Sequence, residues 1–91
     1  MSRVERVCVI QNKLGLHLRA AAAFVKVAER FKSDVSLERE GTRANGKSII
    51  ALVTLAASLG TTVKIAAEGP DAEEAVAALT KLVEDRFGEG A

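Results

Sequence analysis

Apolar and polar residues follow two different spacings along the chain, and the change between these spacings predicts the order of secondary-structure elements. Stretches rich in β-branched residues, or alternating between apolar and polar positions, are typical of strands. Apolar residues spaced three and four apart are typical of helices packed on one side. Strands are predicted at residues 3–10, 33–40, 42–44 and 61–68, and helices at 18–31, at 49–58 and after Asp71. The order β-α-β-β-α-β-α predicts an α+β domain in which helices cover one face of a sheet.

The same spacings identify the side chains that should form the core. The chain has only three aromatic residues, all phenylalanine, so the core must be mostly aliphatic. On the last strand, Val63, Ile65 and Ala67 share one face. The first helix presents an apolar stripe made of Ala20, Ala21, Phe24, Val25, Ala28 and Phe31. The last helix presents a second stripe made of Ala75, Val76, Leu79, Leu82 and Val83.

Short polar residues and glycines mark the predicted ends of the helices. Ser48 is predicted to cap the second helix, because its hydroxyl can accept a hydrogen bond from a backbone N–H two or three residues further on. Gly60 stands where a left-handed residue would end that helix. Asp71 and Glu74 have the spacing of a capping box at the start of the last helix. Residues 88–91 are expected to fray.

The composition limits the chain to a small domain with few reactive side chains. Its 91 residues, 48% hydrophobic and 27% charged, predict a single domain over residues 1–91. Cys8 is the only cysteine and His17 the only histidine, which excludes an internal disulfide and a Cys/His zinc site. A domain of this size has little volume for a deep pocket, which favours a carrier or a binding module over a self-sufficient enzyme.

Charge and hydropathy argue against two further classes of partner. Thirteen basic and twelve acidic residues give a net charge of +1, which offers no general attraction for nucleic acid. The apolar runs are far shorter than the roughly 20 residues that a membrane span requires. The chain opens on mixed-charge residues rather than on a signal peptide, and its cysteine is unpaired. We therefore expect a cytoplasmic monomer that needs neither a metal nor another cofactor.

His17 lies where the loop containing Gly15 meets the first helix. The first N–H groups of a helix lack internal partners and favour a bound anion. An imidazole at that point could carry a phosphoryl group on a ring nitrogen, with Arg19 as a cationic partner. A lone histidine is more often a surface or structural residue, however, so its position alone leaves both interpretations open.

The residues around His17 also carry a family resemblance. The segment Asn12–His17, followed by Arg19 and two small residues, resembles the active-site signature of HPr, the histidine-containing phosphocarrier of the bacterial phosphotransferase system. Three later parts of the chain resemble the same family in the same order, and they lie at residues 44–50, 58–65 and 68–75. The resemblance extends over roughly residues 3–87. Residues 50–52 and 68–70 look like the nitrogen-related branch of the family.

This resemblance implies a fold, a reaction and two partners. The fold is an open-faced β-sandwich, with a four-stranded antiparallel sheet of order 1-4-2-3 and three helices on one face. His17 matches the phosphorylated histidine and Arg19 the arginine that accompanies it. In the family, phospho-enzyme I donates the phosphoryl group and a histidine on an enzyme IIA protein accepts it, in sugar transport or in carbon and nitrogen regulation. Such a protein is an intermediate in phosphoryl transfer rather than a complete enzyme.

Two residues beside His17 depart from the family pattern. Family members usually read His-Ala-Arg-Pro, whereas this chain has Leu18 and Ala20 at the alanine and proline positions. Proline suits the first turn of a helix because its φ is already fixed, so Ala20 predicts a less preorganised helix start. Leu18 adds an apolar side chain next to the histidine and is expected to alter which partner docks, or how tightly.

Ser48 and its neighbours give the predicted regulatory and docking features. Ser48 matches the serine that an HPr kinase phosphorylates in some members, although its role as a helix cap also explains the residue. The predicted partner-binding residues are Leu18, Ala22, Lys47, Ile49, Leu52 and Val53. We expect Lys13, Arg19 and Lys47 to rim this apolar patch and to favour acidic partner surfaces.

A second functional class also fits these observations. A regulatory interaction module of the same fold would use the apolar patch to bind a protein and would never be phosphorylated. In that case His17 would only cap the first helix, and binding would survive its replacement. Phosphorylation of His17 therefore separates the two interpretations.

Overall fold

The computed structural model describes residues 2–91 and contains the seven predicted elements in the predicted order. They are β1 Ser2–Val9, α1 Leu18–Ala28, β2 Asp34–Arg39, β3 Thr42–Asn45, α2 Ile49–Thr54, β4 Thr62–Gly69 and α3 Ala72–Glu84, followed by a 3₁₀ turn at Arg86–Gly88. The strands begin and end within one residue of the predicted bounds. No helix within the described residues is long and apolar enough to cross a membrane.

The four strands form one antiparallel sheet in the order β1-β4-β2-β3. This is the order that the family resemblance implies, so the predicted fold is confirmed. The central strand β4 pairs on both sides, with Ala67 opposite Val4 on β1 and opposite Val35 on β2. Leu37 on β2 lies opposite both Ile65 and Ala44 and joins β3 to the sheet.

The core lies between the sheet and the helices, and its members are those that the spacing predicts. Every residue of the stripe predicted for the first helix is buried except Phe31, which lies beyond the end of α1 and is partly buried. The same holds on α3, where only Leu82 is partly exposed, and Val63, Ile65 and Ala67 are all buried. Removing this apolar area from water at roughly 25 cal/mol per Å² is the main force that holds the helices to the sheet.

The other face of the sheet is open to solvent. Lys64 on β4 lies 3.8 Å from Glu5 on β1 and 3.9 Å from Glu38 on β2, measured between the ammonium nitrogen and a carboxylate oxygen. Val7 is 63% exposed on the same side. Ion pairs at the surface contribute little to stability, so these contacts are not what holds the three strands together.

The second helix is shorter than predicted and does not end at Gly60. α2 stops at Thr54, Ala56 takes a left-handed φ of 53°, and the chain then runs extended towards Gly60. The buried Ala57 accepts a hydrogen bond through its carbonyl from the Leu16 N–H at 2.8 Å. The departure from the helix at Ala56 thus coincides with a contact between the following segment and the loop before α1.

Gly60 belongs to a different turn. Its N–H donates to the Ile10 carbonyl at 2.9 Å, and the Ile10 N–H donates to the Thr61 carbonyl at the same distance. Gly60 has a φ of +87°, which suits a glycine in the turn that leads into β4. The prediction of a left-handed residue here is therefore correct, but the prediction that it caps α2 is wrong.

The capping box predicted at Asp71 is also absent. Asp71 precedes α3 but makes no side-chain cap bond. Its carboxylate accepts hydrogen bonds from the Lys32 N–H at 2.9 Å, the Ser33 N–H at 2.9 Å and the Ser33 hydroxyl at 2.6 Å. These donors lie in the α1–β2 connection, and they outnumber the single N–H bond that a cap would provide. The Asp71 side chain thus ties two loops together rather than capping the start of α3.

We predict that Asp71 makes the stability of the fold depend on pH between about 4 and 2. The Ser33 hydroxyl, followed by the Lys32 N–H, lowers the pKa of Asp71 from 3.8 to about 2. A carboxyl with a lowered folded-state pKa stabilises the fold above its unfolded pKa, and that stabilisation is lost as the pH falls through the folded value. Urea unfolding of Asp71→Asn should therefore depend less on pH across this window than unfolding of the wild type.

Two matched variants check this assignment. Asp85→Asn, at an exposed carboxyl after α3, should keep the wild-type pH dependence. Ser33→Ala should raise the pKa of Asp71 towards its ordinary value in a carboxyl ¹³C NMR titration. An Asp71 pKa that is the same with and without the Ser33 hydroxyl would contradict the assignment.

Candidate functional site

His17 occupies the N-cap position of α1, as predicted from the sequence. Its backbone is extended, with φ −79° and ψ 179°, and Nδ1 of its ring accepts a hydrogen bond from the Arg19 N–H at 3.2 Å. The first backbone bond of the helix runs from the Ala21 N–H to the His17 carbonyl at 2.8 Å. The N–H groups ahead of it point out of the helix end, where they favour negative charge.

The loop before His17 is held against the segment that follows α2. Gly15 has a φ of +69°, and a Cβ added there would lie 2.6 Å from the Ala57 carbonyl oxygen and 2.8 Å from the Cα of Ser58. Only glycine combines this backbone conformation with so close an approach. The adjacent hydrogen bond from the Leu16 N–H to the Ala57 carbonyl then fixes the position of the loop from which α1 begins.

Asn12 supports the same loop from inside. Its side chain is fully buried, and Nδ2 donates to the Gly15 carbonyl at 2.7 Å and to Oε1 of Glu89 at 3.0 Å. The Gly15 N–H returns a bond to the Asn12 carbonyl at 3.1 Å. A buried amide with both amide hydrogens committed holds its acceptors in place, so Asn12 fixes Glu89 as well as the loop.

The C-terminal segment, residues 88–91, lies against this site. Oε2 of Glu89 contacts Nε2 of His17 across 72 positions of sequence, and the Lys13 N–H donates to the Ala91 carbonyl at 3.1 Å. This arrangement differs from the frayed end that the sequence predicts. The partners that hold the segment are 72 or more positions away, where no local pattern indicates them.

The two ring nitrogens of His17 face groups of opposite hydrogen-bonding character, the Glu89 carboxylate and the Arg19 N–H. Asn12 is the largest cause of a lowered pKa at Glu89, followed by the contact with His17 and the charge of Arg19, against an opposing effect of burial. An ionised carboxylate can only accept a hydrogen bond, so the contact with Glu89 favours a proton on Nε2 of His17. Nδ1 accepts from the Arg19 N–H, which engages the lone pair of that nitrogen.

A shallow recess of about 410 Å³ opens beside the histidine. Its walls are formed by Lys13, Leu14, Arg19, Glu89, Gly90 and Ala91. The guanidinium of Arg19 makes no hydrogen bond or ion pair with residues 2–91, which leaves it available to an incoming anion. The site thus combines an imidazole, the amide end of a helix and two cations at an open surface.

The predicted apolar patch is only partly assembled. Leu18 is 66% exposed and Val53 38% exposed, whereas Leu52 is completely buried and cannot contact a partner. Ala22 and Ile49 are partly buried. The helix α2 has only six residues and directs Leu52 into the core, while the adjacent Ile50 points outward and is 78% exposed.

Lys47 and Ser48 are both engaged in local structure. The Lys47 ammonium donates to the Phe31 carbonyl at 2.8 Å, so this side chain is tied to the end of the α1 segment rather than rimming a patch. The Ser48 hydroxyl accepts from the Ala51 N–H at 3.2 Å, which confirms Ser48 as the N-cap of α2.

For three residues of the site, the sequence did not predict the structural role that they have. Asn12 lies within the recognised motif, but nothing local indicates that its side chain is buried. Ile50 could have been separated from Leu52 only by knowing which side of α2 faces the core. Glu89 has no sequence signal at all, because its role depends on where the chain end returns.

Comparison with known proteins gives a consistent result. Residues 4–85 match the family model described as the PTS HPr component phosphorylation site. The phosphocarrier protein HPr of Cupriavidus necator is 45% identical over 87 residues, covering 96% of this chain and 98% of that protein. The phosphocarrier protein HPr of Neisseria meningitidis is 48% identical over 81 residues, covering 89% and 91%. The crystal structure of HPr-C-His from Thermoanaerobacter tengcongensis superposes with a TM-score of 0.90 at 44% identity, covering all of both chains.

We predict that Gly15→Ala destabilises the protein more than Gly41→Ala. Both glycines have left-handed φ values, +69° and +82°, and adopting that conformation costs each alanine about 1–2 kcal/mol of folding free energy. Only Gly15 has backbone within clashing distance, since nothing lies within 4 Å of a Cβ at Gly41. Overpacking should add roughly 1–3 kcal/mol at Gly15. Urea unfolding measures the difference, and equal losses would contradict the close packing of this loop.

Proposed function

This chain belongs to the HPr family of phosphocarrier proteins of the bacterial phosphotransferase system, and on that premise we propose that His17 is its phosphoryl acceptor. In this proposal phospho-enzyme I donates the group in the cytoplasm, and a histidine of an enzyme IIA protein receives it. The observation that carries the proposal is the placement of Nδ1 of His17, which accepts from the Arg19 N–H, at the amide end of α1.

The transfer needs no proton to leave His17 during the attack. The lone pair of Nδ1 forms the new bond to phosphorus in line with the bond that breaks, and the donor imidazole leaves with the electron pair of that bond. The proton on Nε2 stays in the hydrogen bond to Glu89. In the transfer to the acceptor, a nitrogen of the acceptor histidine attacks phosphorus and Nδ1 of His17 leaves with the electron pair. The same type of displacement therefore serves both steps, as a carrier requires.

The charge of the phosphoryl group is stabilised by groups already in place. The Arg19 N–H bonds to Nδ1 in the unphosphorylated protein. Once Nδ1 is substituted, this N–H is released from the ring and can donate to a phosphoryl oxygen. The neighbouring N–H groups of Leu18 and Ala20 and the guanidinium of Arg19 add further donors. Because the backbone donors are fixed by the helix, they require little reorganisation when the group arrives.

We further propose that partners dock on exposed apolar residues of the loop before α1, the first turn of α1 and α2. The side chains concerned are Leu14, Leu18, Ile50 and Val53. The free cations Lys13 and Arg19 beside the recess would favour acidic partner surfaces. Weak, small interfaces suit a carrier that must exchange partners.

Regulatory phosphorylation of Ser48 by an HPr kinase stays a prediction. The bond from the Ala51 N–H accounts for the serine as a cap, with a typical contribution of about 1 kcal/mol. A phosphate there would place two negative charges close to the exposed Ile50 and would act on docking rather than on the chemistry of His17.

We expect enzyme I and labelled phosphoenolpyruvate to transfer label onto this protein in an acid-labile, alkali-stable form. His17→Ala should abolish the label because the nucleophilic nitrogen is lost, whereas Ser48→Ala should keep it. Unlabelled wild-type protein, tested with an enzyme I that charges another HPr, would contradict the proposal. Partner binding that persists in His17→Ala without any label would favour the interaction module instead.

Arg19→Ala should slow phosphoryl transfer roughly 10–100-fold, the cost of losing about 1.5–3 kcal/mol from one charge-assisted contact. Arg30→Ala provides a matched control, because Arg30 is an exposed arginine just beyond the other end of α1. Quenched-flow rates from phospho-enzyme I measure the effect. Equal rates for the two variants would show that Arg19 does not stabilise the transferred group.

A further inference from the structure

We propose that Glu89 is a positioning residue that holds the proton of His17 on Nε2 and thereby presents Nδ1 as the nucleophile. The inference deepens the proposed function and rests on it. It assigns a role in phosphoryl transfer to the C-terminal segment, residues 88–91, which lies outside the matched region 4–85.

Both carboxylate oxygens of Glu89 are committed to the site. Oε1 accepts from Nδ2 of Asn12 at 3.0 Å, and Oε2 meets Nε2 of His17. Asn12 is completely buried and is itself bonded to the Gly15 carbonyl at 2.7 Å. A carboxylate oriented by a buried amide cannot swing freely, so its second oxygen is aimed at the imidazole.

The segment is also anchored on either side of Glu89. Phe87 is only 8% exposed and packs into the core before it, and the Ala91 carbonyl accepts from the Lys13 N–H after it. The side chains of His17 and Glu89 are 25% and 18% exposed, so water competes only partly for their contact. The contact is therefore built into the fold rather than being a chance meeting of two surface groups.

The chemistry gives this contact a purpose. A neutral imidazole can carry its proton on either nitrogen, and only the form protonated at Nε2 offers a lone pair at Nδ1. When Nδ1 forms its bond to phosphorus, the ring that still holds the Nε2 proton gains positive charge. A carboxylate that accepts this hydrogen bond stabilises that charge, as the aspartate does in a Ser-His-Asp triad.

The geometry distinguishes this role from obstruction of the site. A carboxylate that imitated phosphate would sit on the helix amides and block Nδ1. Instead Nδ1 faces the Arg19 N–H, and Glu89 contacts the opposite nitrogen of the ring. Glu89 therefore occupies the side of the imidazole away from the bond to be formed.

The first test reads the tautomer directly and needs no partner enzyme. Long-range ¹H–¹⁵N NMR of the full-length, unphosphorylated protein above the titration range of His17 should show mainly the form protonated at Nε2. Glu89→Ala and Glu89→Gln should shift the population towards the other form, and Glu84→Ala, at an exposed glutamate near the end of α3, should not. An unchanged tautomer population in both Glu89 variants would overturn the inference.

The second test measures transfer from phospho-enzyme I. Glu89→Ala should lower the rate roughly 10–100-fold, by analogy with removing the carboxylate that orients a metal-ligating histidine, while Glu84→Ala should match the wild type. A faster Glu89→Ala would overturn the inference and identify the carboxylate as a block. If the Glu89 variants shift the tautomer but the wild-type chain takes no label from a competent enzyme I, the proposed function is contradicted while the role of Glu89 in holding the proton is supported.

Discussion

The hydrogen bond from the Leu16 N–H to the Ala57 carbonyl is the constraint on which the site depends. It joins the loop before α1 to the segment after α2, and it requires Gly15 to lie against backbone with no side chain between them. The chain leaves the helical path at Ala56, one residue before this carbonyl, and α2 ends at Thr54. The start of α1, and with it His17, is thereby set against a buried part of the core rather than on a free loop.

From that fixed point the remaining groups of the site follow in order. The end of α1 supplies oriented amides on one side of the imidazole, and the return of the chain supplies Glu89 on the other. Asn12 links the loop to the chain end through one buried amide. The imidazole of His17 thus has different environments at its two nitrogens, as the proposed transfer to one defined atom requires.

Much of the fold could be predicted because its signals are local. The stripe from Ala20 to Ala28 and the alternation of Val63, Ile65 and Ala67 are visible in the spacing alone, and the structure buries all of them. The errors occur where a side chain or carbonyl found a distant partner. Asp71 has the local spacing of a cap, but its carboxylate accepts hydrogen bonds from Lys32 and Ser33 instead.

The sequence by itself therefore determined the elements, their order, the core-facing residues and the position of His17 at a helix start, together with the family motif around it. Periodicity and capping depend on neighbours within about four residues, and such information is present in any short window. Only the tertiary structure decided that Leu52 is buried and Ile50 exposed, that α2 ends at Thr54, and that Glu89 reaches His17 from 72 positions away. Those outcomes depend on how packed elements bring distant segments together, and no local pattern specifies that meeting.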